Sequence, residues 1–597
     1  MKAGHPAIIV LTPGGLVSAR RIAQVIDADI HARTGIDGAD ETFTEAADHL
    51  RALFNQSRPI IGLCAAGILI RAVAPLLADK RAEPPVLAIT EDGASIVPLL
   101  GGHHGGNNLA RRIAEALDGH AAITTAGDNR FGVALDDPPA GWSLANPQDA
   151  KAVMARCLAG GALRLQGDAP WLTQSALPFD VAGADRLVAT VKADTGDEKT
   201  LIFHPRKLAL GLGCERGAGA DEVIVLIETA LAAAGLAKKA IACVVSIDLK
   251  ANEAAILKAA DWLGVPARFF TAETLEAETP RLANPSAAVF AEVGCHGVAE
   301  GAALAAAGPD GKLVVPKTKS HRATCAIAQA TDVIATETIG RARGRLAVVG
   351  IGPGASKWLT PEAGDLIRSS ETVIGYSYYL DLIDSMIADK TRIDSPLGEE
   401  ENRVREALCL AAEGRAVALV SSGDPGIYAM ASLVFECLDA GGLPDGAHRA
   451  GIVVAPGISA FQAAAARAGA PFGHDFCAIS LSDLLTPWPA IEARIKAAAE
   501  GDFVVAFYNP VSSRRRHQLA DAKAILLRNR PADTPVVVAR MLGREGESMT
   551  TLRLQDLDPE RVDMMTLVVV GSSATRTTKV GNRVYTPRGY EAKRTGG

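Results

Sequence analysis

Short apolar runs alternate with Ala-rich helical runs along almost the whole chain, and this rhythm constrains the fold more than any other feature. Residues 7–11, 60–63, 87–89, 242–247 and 346–350 are such apolar runs, each bounded by turn residues. Runs of this kind followed by helical patterns read as parallel strands with helical crossovers, so an α/β, multidomain protein is expected. The 597 residues correspond to about four compact units at roughly 150 residues each. Hydrophobic residues are 48% of the chain but aromatics only 4%, so the cores must be built mostly from Ala, Val, Leu and Ile.

The rhythm weakens over residues 136–206, where Asp136-Asp-Pro-Pro, Asn146-Pro147 and Gly160-Gly161 crowd together, and a less regular small segment is expected there. It returns over 207–335. Arg341-Ala-Arg-Gly-Arg345 is basic and aperiodic, which sets a linker at 336–344 and a C-terminal block at 345–597. The first block is then 1–135. The net charge of −7 argues against a general nucleic-acid binder, so an anionic ligand must meet local basic loops. Residues 60–70 form the longest uncharged apolar stretch, well short of the roughly 20 needed to cross a bilayer, and residues 7–11 are too short for a signal-peptide core. Nine cysteines occur without a C-x-x-C pair. Reduced thiols in a cytoplasmic protein are expected, and no metal ligands are assigned.

The clearest chemistry lies in the C-terminal block. Four strand ends run into small-residue loops: Gly350-Ile-Gly352-Pro353-Gly354, Ser421-Ser-Gly423-Asp424-Pro425-Gly426-Ile427-Tyr428, Pro456-Gly457-Ile458-Ser459-Ala460 and Tyr508-Asn509-Pro510, and Gly350, Gly423 and Gly457 are expected to let a ligand approach the backbone. A dinucleotide fingerprint can be matched by Gly350, Gly352 and Ala355, but it fails on detail. Pro353 removes an amide that a pyrophosphate would use, and Glu371 precedes the next strand, whereas a ribose-binding acid should follow it.

Taken together and in this order, the loops resemble the ordered motifs of the tetrapyrrole methylases, the S-adenosylmethionine enzymes of corrin and sirohaem synthesis. The resemblance implies a class III S-adenosylmethionine methyltransferase fold of two α/β subdomains, with the methyl donor in the cleft between them and a homodimer through this block. Carried over by motif, the donor contacts are Pro353, Ser422, Gly423, Asp424, Ile427, Ser459, Ala460, Asn509 and Leu542. The segment holding Leu542, Arg540-Met-Leu-Gly-Arg544, departs from the Gly-Thr of many relatives. Ser480-Leu-Ser-Asp-Leu-Leu-Thr-Pro-Trp488 and Phe507-Tyr-Asn-Pro-Val511 most resemble the branch that methylates C-17 of precorrin-3B and contracts the ring. Ring contraction needs a proton donor or acceptor, for which Asp483 and Tyr508 are the first candidates and His517 and Asp424 the next. Ser482 and Arg514 are candidate substrate contacts.

Towards the N-terminus, Gly101-Gly-His103-His104-Gly-Gly-Asn107-Asn108 precedes an Ala/Leu-rich helix, pairing imidazoles with helix amides that can stabilise an oxyanion. Asn107 or Asn108 is the expected helix cap. Residues 50–135 resemble the cobalt-precorrin-5A hydrolase family. Residues 208–330, with Gly211-Leu-Gly-Cys-Glu-Arg-Gly217 and Val315-Pro-Lys-Thr-Lys-Ser-His321, resemble that family's C-terminal domain. The resemblance implies lactone opening with loss of acetaldehyde, so His103 and His104 are the catalytic candidates. Lys317 and Lys319, in an expected basic turn, are the candidate contacts for substrate carboxylates. Cys295-His296 is expected to pack or touch substrate, because adjacent residues on an extended strand face opposite ways.

The expectation is thus a bifunctional methyltransferase and lactone hydrolase of corrin-ring synthesis, acting on a precorrin or its cobalt counterpart. Two alternatives keep the methylase fold: a non-catalytic N-terminal carrier of corrin intermediates, and a methylase acting on RNA or protein.

Overall fold

The computed structural model describes residues 5–78, 83–102, 105–512 and 515–590. The chain divides into two units, Met1–Arg343 and Gly344–Gly597. Among the described residues no helix is long and apolar enough to cross a membrane.

The first unit holds three sheets. Seven strands run in the order Glu41–Phe43, Asp29–Arg33, Ala7–Val10, Ile60–Leu63, Val86–Ile89, Ser95–Leu100 and His120–Ala121. Pairing is parallel except between Val86–Ile89 and Ser95–Leu100. Ala7–Val10 and Ile60–Leu63 are buried along their whole length, as continuous apolar strands covered on both faces should be. Strand order reverses between these two, and the crevice beyond their carboxyl ends is where such open sheets take ligands.

The segment expected to be less regular forms its own sheet, in the order Trp142–Leu144, Thr200–Pro205, Asp185–Ala189, Leu163–Gln166, over a core that includes Phe203, Leu187 and Leu201. Its strands are too short to display a period. A buried amide helps to join them: Asn146 donates to Thr200 O at 2.9 Å and accepts from Ile202 N at 3.1 Å. The third sheet sets Ala267–Phe270, Ile241–Ile247 and Leu208–Cys214 in parallel and closes with the antiparallel pair Ala323–Gln329 and Lys312–Lys319. Gly211 lets the helix Val298–Ala307 lie directly on this sheet, since a Cβ there would sit 1.9 Å from Ala299 O.

The second unit is built on two five-stranded sheets. The first is wholly parallel, in the order Thr391–Ser395, Thr372–Tyr376, Ala416–Ser421, Arg345–Gly350, Gly451–Ala455. The strand Arg345–Gly350 feeds both faces by simple alternation, Leu346 and Val348 into one core and Ala347 and Val349 into the other. The second sheet runs Phe476–Ser480, Val504–Tyr508, Thr566–Val570, Pro535–Arg540, Ser548–Arg553, with only the first pair parallel.

Candidate functional site

Loops at one end of the two sheets of the second unit line a common cleft. Its walls include Pro353, Ser422, Gly423, Asp424, Ile427, Ser459, Ala460, Asn509 and Leu542, so all nine motif-derived donor positions meet there. The glycines do not all act as expected. A Cβ on Gly350 or on Gly457 would lie 2.2 Å from Gly423 O, so these two let loops pack on each other, where the sequence pointed to ligand approach. Gly423 differs: its φ is +72° and a Cβ would meet nothing nearer than Ser459 Cα at 3.9 Å, which leaves open space beside the backbone. Gly423 N donates to Gly352 O at 2.9 Å, and Asp424 accepts from Gly426 N at 2.8 Å and Gly457 N at 3.0 Å. The Asp424 carboxylate therefore fastens one loop to the next. Ser459 is 2% exposed and forms a capping box with Gln462 at the start of the helix Ala460–Ala468.

Three non-glycine residues at the cleft, Tyr428, Asn509 and Met541, adopt left-handed φ values of 51°, 49° and 53°. Such conformations cost about 1–3 kcal/mol each and gather at functional sites. Tyr428 and Met541 sit inside segments that the sequence singled out, but as site residues they escaped it. So did Arg544. Its Nε donates to Pro353 O at 2.7 Å and its Nη2 to Ser422 Oγ at 3.2 Å, with the guanidinium 5.1 Å from the centre of the Tyr378 ring. Among the described residues its Nη1 is buried without a hydrogen-bond partner. The unusual Met-Leu-Gly-Arg sequence was visible, but that its arginine enters the cleft was not.

Of the proton-transfer candidates, Tyr508 lines the cleft, 5.3 Å from Tyr428 between ring centres, and its hydroxyl accepts from Phe461 N at 3.3 Å. Burial raises its pKa and keeps the phenol protonated. Asp483 is outside the described lining; it accepts from Gln518 Nε2 at 3.0 Å and lies 3.7 Å from the buried Arg515. Ser482 sits beside it, its amide donating to Ser480 Oγ at 3.3 Å. His517 is exposed and stands edge-on to Trp488. Arg514 lies outside the described residues.

In the first unit, His103 and His104 also lie outside the described residues. The helix behind them, Gly106–Leu117, is capped by Gly105 and has neither asparagine as its cap. Asn107 is buried inside the first turn and donates to Thr125 Oγ1 at 2.9 Å and Asp128 Oδ2 at 3.1 Å, tying this helix to the next. At the carboxyl ends of the seven-stranded sheet, Thr12 Oγ1 donates to the Glu91 carboxylate and Ser18 Oγ to Glu91 O. The expected basic turn is mostly strand: Lys317 and Lys319 belong to Lys312–Lys319, and only His321 and Arg322 form the tight turn that Ser320 N closes on Ala323 O. Lys317 Nζ donates to Asn284 O at 2.9 Å, Lys319 is exposed, and Arg322 is engaged by Glu215 and the carbonyls of Arg216 and Gly217. Cys295 and His296 lie between the helices Ala287–Val293 and Val298–Ala307 and belong to no described strand. The thiol is buried in the core, which raises its pKa, and the imidazole bonds Glu276 at 2.9 Å.

The family model for tetrapyrrole (corrin/porphyrin) methylases matches residues 345–558. Those for the cobalamin synthesis G C-terminus and N-terminus match residues 208–328 and 48–128. The precorrin-3B C(17)-methyltransferase of Sinorhizobium sp is 44% identical over 250 residues, which are 41% of this chain and 97% of that protein. The chain belongs to the tetrapyrrole methylase family. The cobalt-factor III methyltransferase of Priestia megaterium is 44% identical over 255 residues, 42% of this chain; the match spans only 46% of that relative. Another tetrapyrrole methylase, the crystal structure of the methyltransferase CobJ, is 42% identical, with a TM-score of 0.38, and the match covers 41% of this chain and 100% of that one.

Proposed function

We propose that the second unit transfers a methyl group from S-adenosylmethionine to C-17 of precorrin-3B or its cobalt counterpart, with ring contraction, and that the first unit opens a lactone on a corrin precursor. The observation that carries the first half is the convergence of all nine donor positions on one cleft. The cleft suits the donor because Gly423 leaves space where a side chain would stand. S-adenosylmethionine supplies an electrophilic methyl on a sulfonium, so the chain's task is alignment and exclusion of water. Gly423 and Ala460 admit the donor close to the backbone. Arg544, through its unpartnered Nη1, contacts a carboxylate of donor or substrate. The protonated Tyr508 phenol donates a hydrogen bond to oxygen as the ring contracts. Asp483, Ser482 and Arg514 contact substrate from the adjoining loops.

In the first unit His103 or His104 takes part in lactone opening, which consumes water and releases the two-carbon fragment as acetaldehyde. Lys317 and Lys319 hold substrate carboxylates, and the anchored Lys317 gives up its bond to Asn284 O to do so. A homodimer through the methylase unit and a cytoplasmic location belong to the same reading and rest on family resemblance; sedimentation and cell fractionation check them. The deciding experiment incubates the full chain with S-adenosylmethionine and each of the two substrates and follows product mass. A gain of one methyl with either supports the methyltransferase reading. Absence of methylation with both, from a chain that binds the donor, overturns it.

A further inference from the structure

Three side chains that neither half of this reading uses converge at the edge of the seven-stranded sheet. His31 and Glu41 are register partners on the parallel strands Asp29–Arg33 and Glu41–Phe43, so their side chains leave the sheet side by side. The helix Ala46–Asn55 follows directly and brings in His49. His31 Nδ1 lies 2.9 Å from His49 Nε2 and 3.3 Å from Glu41 Oε2, and the three donor atoms fall within 4.8 Å of one another. Phe43, two residues beyond Glu41 on the same strand face, stacks on the His49 ring at 4.7 Å and 13° and fixes its plane.

We propose that His31, Glu41 and His49 bind one divalent first-row transition cation, through two imidazole nitrogens and one carboxylate oxygen, with a further position open to water. Metal–nitrogen bonds of about 2.0–2.1 Å in a tetrahedral site put ligand atoms about 3.3 Å apart. The 3.3 Å between His31 and Glu41 meets that value and the 2.9 Å between His31 and His49 falls a little short of it, so small side-chain rotations complete the site. The donor set selects the class of ion. Nitrogen ligands disfavour Ca2+ and Mg2+, whereas imidazole with carboxylate suits the series from Fe2+ to Zn2+. The side chain of His31 is 1% exposed and that of Glu41 56%, so one ligand is anchored in the core while the site faces solvent on the other side. Binding clamps a three-residue edge strand to the helix behind it. The proposal is independent of the function proposed above.

The test is titration of the chelator-treated full chain with Co2+ and with Zn2+, read by metal content after desalting, by the visible bands of bound Co2+ and by the melting temperature. One equivalent per chain and a raised melting temperature are expected. Glu41→Gln and His49→Ala, at the more exposed positions, should each weaken binding on the order of a hundredfold or more, beyond the loss typical of a changed outer-shell partner. A His103→Ala, His104→Ala chain should bind as the parent does. Equal affinity in the parent, Glu41→Gln and His49→Ala chains overturns the proposal, as does loss of binding only in the His103/His104 variant.

Discussion

At Gly457 one methyl group decides whether three loops can meet. A Cβ there would lie 2.2 Å from Gly423 O and 3.0 Å from Gly350 O, both backbone atoms that cannot swing aside. Gly457→Ala should therefore destabilise the second unit by about 1–3 kcal/mol, the usual cost of overpacking, read as a lower urea midpoint. Gly423 separates fold from ligand. Gly423→Trp should abolish S-adenosylmethionine binding in calorimetry, because the indole takes the open space; a folded Gly423→Trp chain that binds the donor as tightly as the parent removes this cleft as the donor site. Arg544→Gln should weaken donor or substrate binding by roughly ten- to hundredfold, the worth of a hydrogen bond to a charged group. Calorimetry with each ligand tells which carboxylate it meets. The motif residues of the cleft were legible because each sits in a Gly/Pro loop directly after a strand. Arg544 was not, because its partner Pro353 is 191 positions away.

Among the elements, the helix Pro361–Arg368 begins as its sequence dictates: Thr360 Oγ1 accepts from Ala363 N, and Pro361 fills the first turn, where no amide partner is lost. The helix Gly106–Leu117 shows the limit of such reasoning. Asn107 has the right chemistry for a cap, yet the Asp128 carboxylate and Thr125 hydroxyl compete for its side chain and win. The strand Thr200–Pro205 carries a pH prediction. His204 is 3% exposed and pairs through Nδ1 with Thr190 O at 2.8 Å. Burial lowers its pKa below the usual value, while the bond to Thr190 pulls the other way. The unfolded chain then binds the extra proton more readily than the folded one. Its contribution to stability is full above about pH 6.5 and is lost as pH falls towards the lower folded value. The urea midpoint of the first unit should drop between pH 7.5 and 5.5, and His204→Gln should flatten that drop.

For the whole molecule, the proposed chemistry of the first unit has a direct assay. Removing one oxyanion donor or its partner from an acyl-transfer site typically costs on the order of a hundredfold in rate or more. A folded His103→Ala, His104→Ala chain should release acetaldehyde from a lactone-bearing corrin precursor at least that much more slowly, while methyl transfer stays unchanged. Unchanged release moves the chemistry elsewhere, with Glu91 next in line at the carboxyl ends of the first sheet. Exposed Lys319 should act through charge. Lys319→Ala should weaken substrate binding at low salt, and the difference from the parent should shrink as salt screens the contact. The choice between precorrin-3B and its cobalt counterpart belongs to the product-mass assay.

Strand, turn and helix are set by residues close together in the chain, which is why the α/β rhythm and the ordered methylase loops could be read directly. The small sheet around Asn146 hid from that reading because its strands are short and a buried amide, in place of a period, joins them. Contacts between distant segments obey a different constraint. They depend on which loops the sheets carry to the same end and on how closely the backbones approach there. Only the tertiary structure could therefore put Arg544 against Pro353, pack Gly350 and Gly457 on Gly423, and bring His31, Glu41 and His49 together at one sheet edge.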